Sequence, residues 1–197
     1  MEKIEKGDIV AFFDNAAAGW DADLIRNEEV IRKILDNAGV SAGKRILDIA
    51  CGTGVLIPDY LSRGVKSVTG VDISPEMVKL AREKFPQENV KILCADAESL
   101  KGQGEYDCVM VYNAFPHFPD PDKLINVLSG LLAPGGTLTV AHGRSRASID
   151  AHHTGAAAHV SVGLMHEDDL AAIFEKHVKV IVKISDGRMY QVTGIKE

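Results

Sequence analysis

Short apolar runs alternate with segments of helical periodicity along this chain, and that alternation admits few ways of burying both. Strands separated by a helix have enough intervening chain to lie parallel, and the helices then cover the sheet. Arg45-Ile46-Leu47-Asp48-Ile49-Ala50, Ser67-Val68-Thr69-Gly70-Val71-Asp72, Val90-Lys91-Ile92-Leu93-Cys94-Ala95, Tyr106-Asp107-Cys108-Val109-Met110-Val111-Tyr112 and residues 137–141 read as buried strands. Val30, Ile31, Ile34, Leu35 and Ala38 mark a helix before the first of them. Ser74-Pro75-Glu76 starts another, with a cap, a proline at the first helical position and an acid in the first turn. Leu124, Val127, Leu128, Leu131 and Leu132 share one face of a third. After a helix over residues 166–176 come β-rich runs at 178–184 and 189–195, joined by a turn short enough for a hairpin, so these two strands are expected antiparallel.

The bounds agree with one domain. A chain of 197 residues with 46% hydrophobic content builds one substantial core and leaves little room for a second. The formal net charge of -6 disfavours a basic face for nucleic acid or anionic lipid. No apolar run approaches a membrane span, and Met1 to Ile9 carries charge where a signal peptide needs an apolar centre, so the expected location is cytoplasmic. Cys51, Cys94 and Cys108 lack Cys-x-x-Cys spacing and are expected to be buried fillers.

The chemistry gathers at the C-terminal ends of the first strands, where open α/β sheets bind ligands. The glycines of Cys51-Gly52-Thr53-Gly54 allow a tight turn and close backbone approach to a ligand. Asp72 follows at the end of the next strand, placed to grip the two hydroxyls of a ribose. A dinucleotide fingerprint needs a small residue where Ile57 stands, and no Gly-Lys-Ser/Thr is present for a phosphate loop. Asp48 would repel a pyrophosphate but attract the ammonium of a methionine moiety. These features favour S-adenosylmethionine.

Leu47-Asp48-Ile49-Ala50-Cys51-Gly52-Thr53-Gly54 closely resembles the first motif of class I S-adenosylmethionine-dependent methyltransferases. Val71-Asp72-Ile73-Ser74 is similar to their acidic loop after strand two, Cys94-Ala95-Asp96-Ala97-Glu98 to their adenine-contacting loop, and Leu132-Ala133-Pro134-Gly135-Gly136 to their turn before strand five. Phe12-Phe13-Asp14 and Trp20-Asp21 resemble the N-terminal segment of the small-molecule, quinone-biosynthesis-like branch, methyltransferase type 11. The resemblance implies a Rossmann-like, doubly wound α/β sheet of seven strands, mostly parallel with the last antiparallel and helices on both faces. It implies that Asp48, Cys51, Gly52 and Gly54 surround the methionine part, that Asp72 holds the ribose, and that Asp96 reaches the adenine amine. Ile73 then packs on the adenine, Ala97 offers its N–H to the ring, and Asn113 lies near the reacting methyl. Asp96 has a plainer role open to it as the cap of a short helix, and Phe12 and Phe13 as core.

Residues 1–40 are expected to form a helical cap over the cofactor, and residues 142–166 a substrate-side insertion. Asn113 and His117 are the candidate catalytic residues, His117 as a base or acceptor contact. Asn113-Ala114-Phe115-Pro116 departs at two positions from the Asn-Pro-Pro-aromatic loop of nucleic-acid amino methylation, which again disfavours that partner. His142, Arg144 and Arg146 follow strand five as candidate substrate contacts, the arginines suited to an acidic acceptor. His152, His153, His159 and His166 enrich the same stretch in imidazole, but the spacing matches no compact metal motif and no metal is assigned. The expected activity is methyl transfer to a small molecule; a noncatalytic S-adenosylmethionine-binding regulator or an NAD-dependent oxidoreductase are the other classes.

Overall fold

The computed structural model describes residues 4–22, 24–102, 104–152 and 158–197. Its helices are α1 (Lys6–Ala16), α2 (Glu28–Asn37), α3 (Ile57–Ser62), α4 (Pro75–Lys84), α5 (Pro121–Leu131), α6 (Arg146–His152) and α7 (Glu167–Phe174). Its strands are β1 (Arg45–Ile49), β2 (Ser67–Asp72), β3 (Val90–Cys94), β4 (Tyr106–Tyr112), β5 (Leu132–His142), β6 (Lys179–Ser185) and β7 (Tyr190–Ile195). They form one seven-stranded sheet in the order β3-β2-β1-β4-β5-β7-β6. β1 to β5 pair in parallel, and β7 runs antiparallel to both β5 and β6. The order reverses beside β1, so the crevice at a topological switch point opens between the loops after β1 and β4.

Alternation along the strands divides the core between the two faces. Leu47, Ile49, Val109 and Val111 face a cluster completed by α5 and α7, whereas Ile46, Cys108 and Met110 face one completed by α2, α3 and α4. The expected cap forms at Ser74, whose Oγ accepts the Met77 N–H, and the structure adds a cap on α5, where Asp120 Oδ1 accepts the Lys123 N–H.

Three expectations change in detail. α5 stops at Leu131 and Leu132 opens β5, so Ile125 rather than Val127 is buried on its inner face. Cys94 is exposed, because β3 is an edge strand with one side uncovered, while Cys51 and Cys108 are buried; all three are free thiols. α6 forms inside the histidine-bearing stretch, where no helix was expected. Among the described residues no helix is long and apolar enough to cross a membrane.

Candidate functional site

β1 ends in a turn that the backbone makes through left-handed conformations at Ala50 (φ 51°), Gly52 (φ 54°) and Gly54 (φ 89°). The Gly52 N–H donates to Asp72 Oδ2 at 2.8 Å, and the Ser74 N–H donates to Asp72 Oδ1 at 2.9 Å. Two backbone amides thus hold the Asp72 carboxylate at the end of β2, on the cavity wall. Burial raises its pKa, and the Ser74, Gly52 and Ile73 amides oppose that rise. Gly54 has a different duty. A β-carbon there would lie 2.5 Å from Phe85 Cε2, so this glycine lets the end of α4 pack against the turn, and it is not part of the wall.

One cavity collects Cys51 and Gly52 from the turn, Asp72 and Ile73 after β2, Asp96 and Ala97 after β3, and Asn113 and His117 after β4. Asp96 caps the short turn Ala97–Ser99: Oδ1 accepts the Glu98 N–H at 3.0 Å, while Oδ2 accepts from Ser99 Oγ at 3.0 Å and from Lys6 Nζ at 2.5 Å. Burial pushes its pKa up, but Lys6 and the cap bonds together carry it below the ordinary value. Asn113, at φ 55°, donates its N–H to the Ala141 carbonyl and accepts the Gly143 N–H on Oδ1, both at 2.9 Å, which ties the ends of β4 and β5 together. His117 Nδ1 lies 2.7 Å from the Val160 carbonyl, and its ring stands edge-on to Phe13 at 5.0 Å.

The other expected residues lie off the wall. Asp48 is only 2% exposed, on the face of β1 that packs against α3, and Asp48 Oδ2 has no hydrogen-bond partner among the described residues. Burial pushes its pKa up to about 8, the Tyr60 phenol lowering it and the Asp72 charge adding to the rise. His142 is buried at the end of β5 with its ring centroid 6.1 Å from that of Tyr190, and neither it nor Arg144 nor Arg146 borders the cavity. His166 caps α7 by accepting the Asp168 N–H, His159 stands 5.7 Å from Phe12, and His153 lies outside the described residues. Among the described residues no three His, Cys, Asp or Glu side chains are grouped to hold a metal ion.

The N-terminal arm supplies wall residues that sequence reasoning did not single out: Lys6, Leu24, Ile25 and Arg26 beside Phe13 and Trp20. The arm is pinned around the rim. Lys6 bonds Asp96 and Glu98, Asp14 accepts from Ser74 Oγ and the Glu76 N–H, Asp21 accepts from Thr53 Oγ1 and Lys84 Nζ, and Arg26 pairs with Asp59. Phe13, Asp14, Trp20 and Asp21 stood in the N-terminal resemblance, which was the available signal. Tyr112, also missed, lies against Gly143, where a β-carbon would come within 2.5 Å of its hydroxyl.

A family model described as a methyltransferase domain matches residues 46–136. This segment contains the glycine turn, Asp72, Asp96, Asn113 and His117. The chain belongs to the class I S-adenosylmethionine-dependent methyltransferases. It is 30% identical over 145 residues to a ubiquinone biosynthesis O-methyltransferase of Chromobacterium violaceum, covering 69% of this chain and 62% of that protein. It is 31% identical over 138 residues to a malonyl-[acyl-carrier protein] O-methyltransferase of Acetivibrio thermocellus, covering 68% of this chain and 49% of that protein. The chain therefore spans between about half and under two thirds of the length of these curated relatives. The N-methyltransferase NodS from Bradyrhizobium japonicum, solved with S-adenosyl-L-homocysteine, has the same fold at a TM-score of 0.74 and 17% identity, covering 95% of this chain and 97% of that one. The cofactor of this methyltransferase family is S-adenosylmethionine. The arm and residues 142–166 lie outside the matched domain.

Proposed function

We propose that this methyltransferase binds S-adenosylmethionine in the cavity between the loops after β1 and β4 and transfers its methyl group to a small-molecule acceptor. The observation that carries the reading is Asp72, a carboxylate held by two amides at a strand end with its remaining acceptor capacity on the cavity wall. That arrangement suits the two hydroxyls of a ribose. Cys51 and Gly52 then line the methionine end, Ile73 packs on the adenine, and the Ala97 N–H meets the ring. Asp96 has about four acceptor sites in its carboxylate, and its cap, Ser99 and Lys6 bonds leave one for the adenine amine. Asp48 Oδ2, a buried acceptor without a donor among the described residues, fits the ammonium of the cofactor or a water that the ammonium holds.

The bound cofactor supplies an electrophilic methyl on a sulfonium, displaced in line. The chain's own contribution is to orient the nucleophile and exclude water. A carbonyl only accepts, so His117 Nδ1 carries the hydrogen it donates to Val160, and in the neutral ring the lone pair is then on Nε2. His117 is thereby set up as a base for an acceptor that must lose a proton, and Asn113 stands beside the reacting methyl. Residues 1–40 act as the cap over the cofactor and as one wall of the acceptor site. The acidic acceptor expected from Arg144 and Arg146 draws no support from the cavity, which neither residue borders.

Titration calorimetry of the chain with S-adenosylmethionine, S-adenosylhomocysteine and NAD tests the reading. Binding of the two adenosyl ligands, weakened at least about 30-fold in Asp72→Ala by loss of its charged hydrogen bonds, is expected. Binding of NAD alone would overturn it in favour of an oxidoreductase.

A further inference from the structure

We infer that Trp20 of the N-terminal arm is a cofactor-binding residue, its indole N–H donating to the carboxylate at the methionine end of the cofactor, and that Asp21 positions it there. This assignment rests on the cofactor reading above and extends the site to a residue outside the matched methyltransferase domain.

Beyond its own chain neighbours, the atom nearest to where a β-carbon on Gly52 would lie is Trp20 Nε1, at 3.8 Å. The nitrogen edge of the indole therefore stands over the open face of the glycine turn, and Trp20 borders the cavity together with Cys51 and Gly52. The ring is held from two sides. Phe13 stands edge-on to it with the centroids 5.6 Å apart, and the next residue, Asp21, accepts from Thr53 Oγ1 at 2.6 Å and from Lys84 Nζ at 2.8 Å. Thr53 directly follows Gly52 and is buried, so this bond ties the arm to the turn itself. Trp20 is still 37% exposed, and among the described residues its Nε1 hydrogen has no acceptor.

Donor and acceptor chemistry sorts the two groups of the methionine end. An indole nitrogen only donates, so it fits a carboxylate and not an ammonium. Asp48 Oδ2, a buried acceptor without a donor among the described residues, fits the ammonium. Other donors near the turn are already engaged by the protein. The Gly52 N–H is spent on Asp72, Lys6 bonds Asp96 and Glu98, and Arg26 bonds Glu28, Asp59 and the Val55 carbonyl. Trp20 Nε1 stands at the turn with its hydrogen uncommitted, where a carboxylate leaving water gains most from a donor.

The test titrates the full chain by calorimetry with S-adenosylhomocysteine and with 5′-methylthioadenosine, which keeps the nucleoside and the thioether but has no amino-acid end. Trp20→Phe retains an aromatic ring against Phe13 and removes the N–H. It should weaken S-adenosylhomocysteine at least about fivefold and leave 5′-methylthioadenosine within about twofold of the parent chain. Trp20 is the one tryptophan of the sequence, so its emission reports on this residue alone. In the parent chain S-adenosylhomocysteine should shift that emission more than 5′-methylthioadenosine does. Asp21→Ala keeps the indole and releases it from Thr53 and Lys84; its ligand-free emission should move toward that of a solvated indole, and S-adenosylhomocysteine should again lose more affinity than 5′-methylthioadenosine. Equal losses of both ligands in Trp20→Phe, no loss of either, or a parent emission that both ligands move alike would each overturn the assignment of Trp20. Parent-like emission and affinities in Asp21→Ala would overturn the positioning role. Failure of S-adenosylhomocysteine to bind the parent chain would overturn the cofactor reading and this one with it.

Discussion

The Gly52 N–H donates to Asp72 Oδ2 at 2.8 Å, across 20 positions of chain, so the glycine turn and the acidic strand end hold each other in place before any ligand arrives. The same carboxylate takes the Ser74 N–H at 2.9 Å, next to the start of α4.

Asp72→Ala is therefore expected to weaken the fold as well as the cofactor site. Two amides lose their acceptor, which costs about 1–3 kcal/mol for each group left buried without a partner. Denaturant unfolding of the ligand-free chain measures this directly; an unfolding midpoint equal to that of the parent chain would show that water replaces the carboxylate. Because the folded-state pKa of Asp72 is raised, S-adenosylhomocysteine affinity should begin to fall, as pH is lowered, at a pH above the ordinary carboxylate range.

Gly54→Ala should destabilise by about 2–4 kcal/mol, from a side chain forced into left-handed backbone and from overpacking. The colliding group is the Phe85 ring, at 2.5 Å from the new β-carbon. Adding Phe85→Leu is expected to recover part of the loss, leaving the backbone strain. A double variant no more stable than Gly54→Ala would exclude the ring as the cause.

Asp48 makes the ligand-free chain lose stability as pH rises toward about 8. Its folded-state pKa is about 8, above the unfolded value near 3.9, so the folded state holds the proton more tightly. Its contribution is fully favourable below the unfolded pKa, declines as pH rises between the two values, and is flat above about 8. Asp48→Asn removes that decline. Thermal or denaturant unfolding should find it about 1–3 kcal/mol more stable than the parent above about pH 8, with the difference shrinking as pH falls and vanishing near about pH 4, while calorimetry should find S-adenosylmethionine bound more weakly. Equal stability across the whole range would mean that Asp48 is solvated in the ligand-free protein.

Removal of residues 1–23 should leave the circular dichroism of the sheet and its helices largely intact and weaken S-adenosylhomocysteine binding roughly tenfold, as several polar anchors and the cover over the turn are lost together. The anchors removed are Lys6, Asp14 and Asp21. Unchanged affinity would show that the arm serves the acceptor alone.

Much of the fold was legible because the inner strands are short buried runs and several helices are marked by apolar periodicity or a cap. Ser74-Pro75-Glu76 begins α4 where expected, and the antiparallel hairpin of β6 and β7 follows from the length of its turn. The cofactor end was legible for a related reason. A glycine turn and an acidic strand end act through local backbone geometry, and that geometry is encoded within a few residues of Gly52 and Asp72. The rest of the site was not local. Arg144 and Arg146 stand directly after β5, yet neither borders the cavity, whereas Lys6 and Arg26 enter its wall from the N-terminal arm. Asp96 was open to two duties, and the cap of the turn Ala97–Ser99 is one that it performs.

The sequence by itself determined a parallel α/β sheet, its closing antiparallel hairpin, and the turn and carboxylate that suit a nucleoside, because hydrophobic period, helix caps and left-handed backbone are properties of neighbouring residues. Only the tertiary structure decided which side chains share the cavity. It buried Asp48 beneath the turn, turned Gly54 toward Phe85 instead of a ligand, and brought Phe13 to His117. Contacts between residues far apart in the chain depend on how the arm and the sheet pack, and nothing in a short stretch of sequence carries that information.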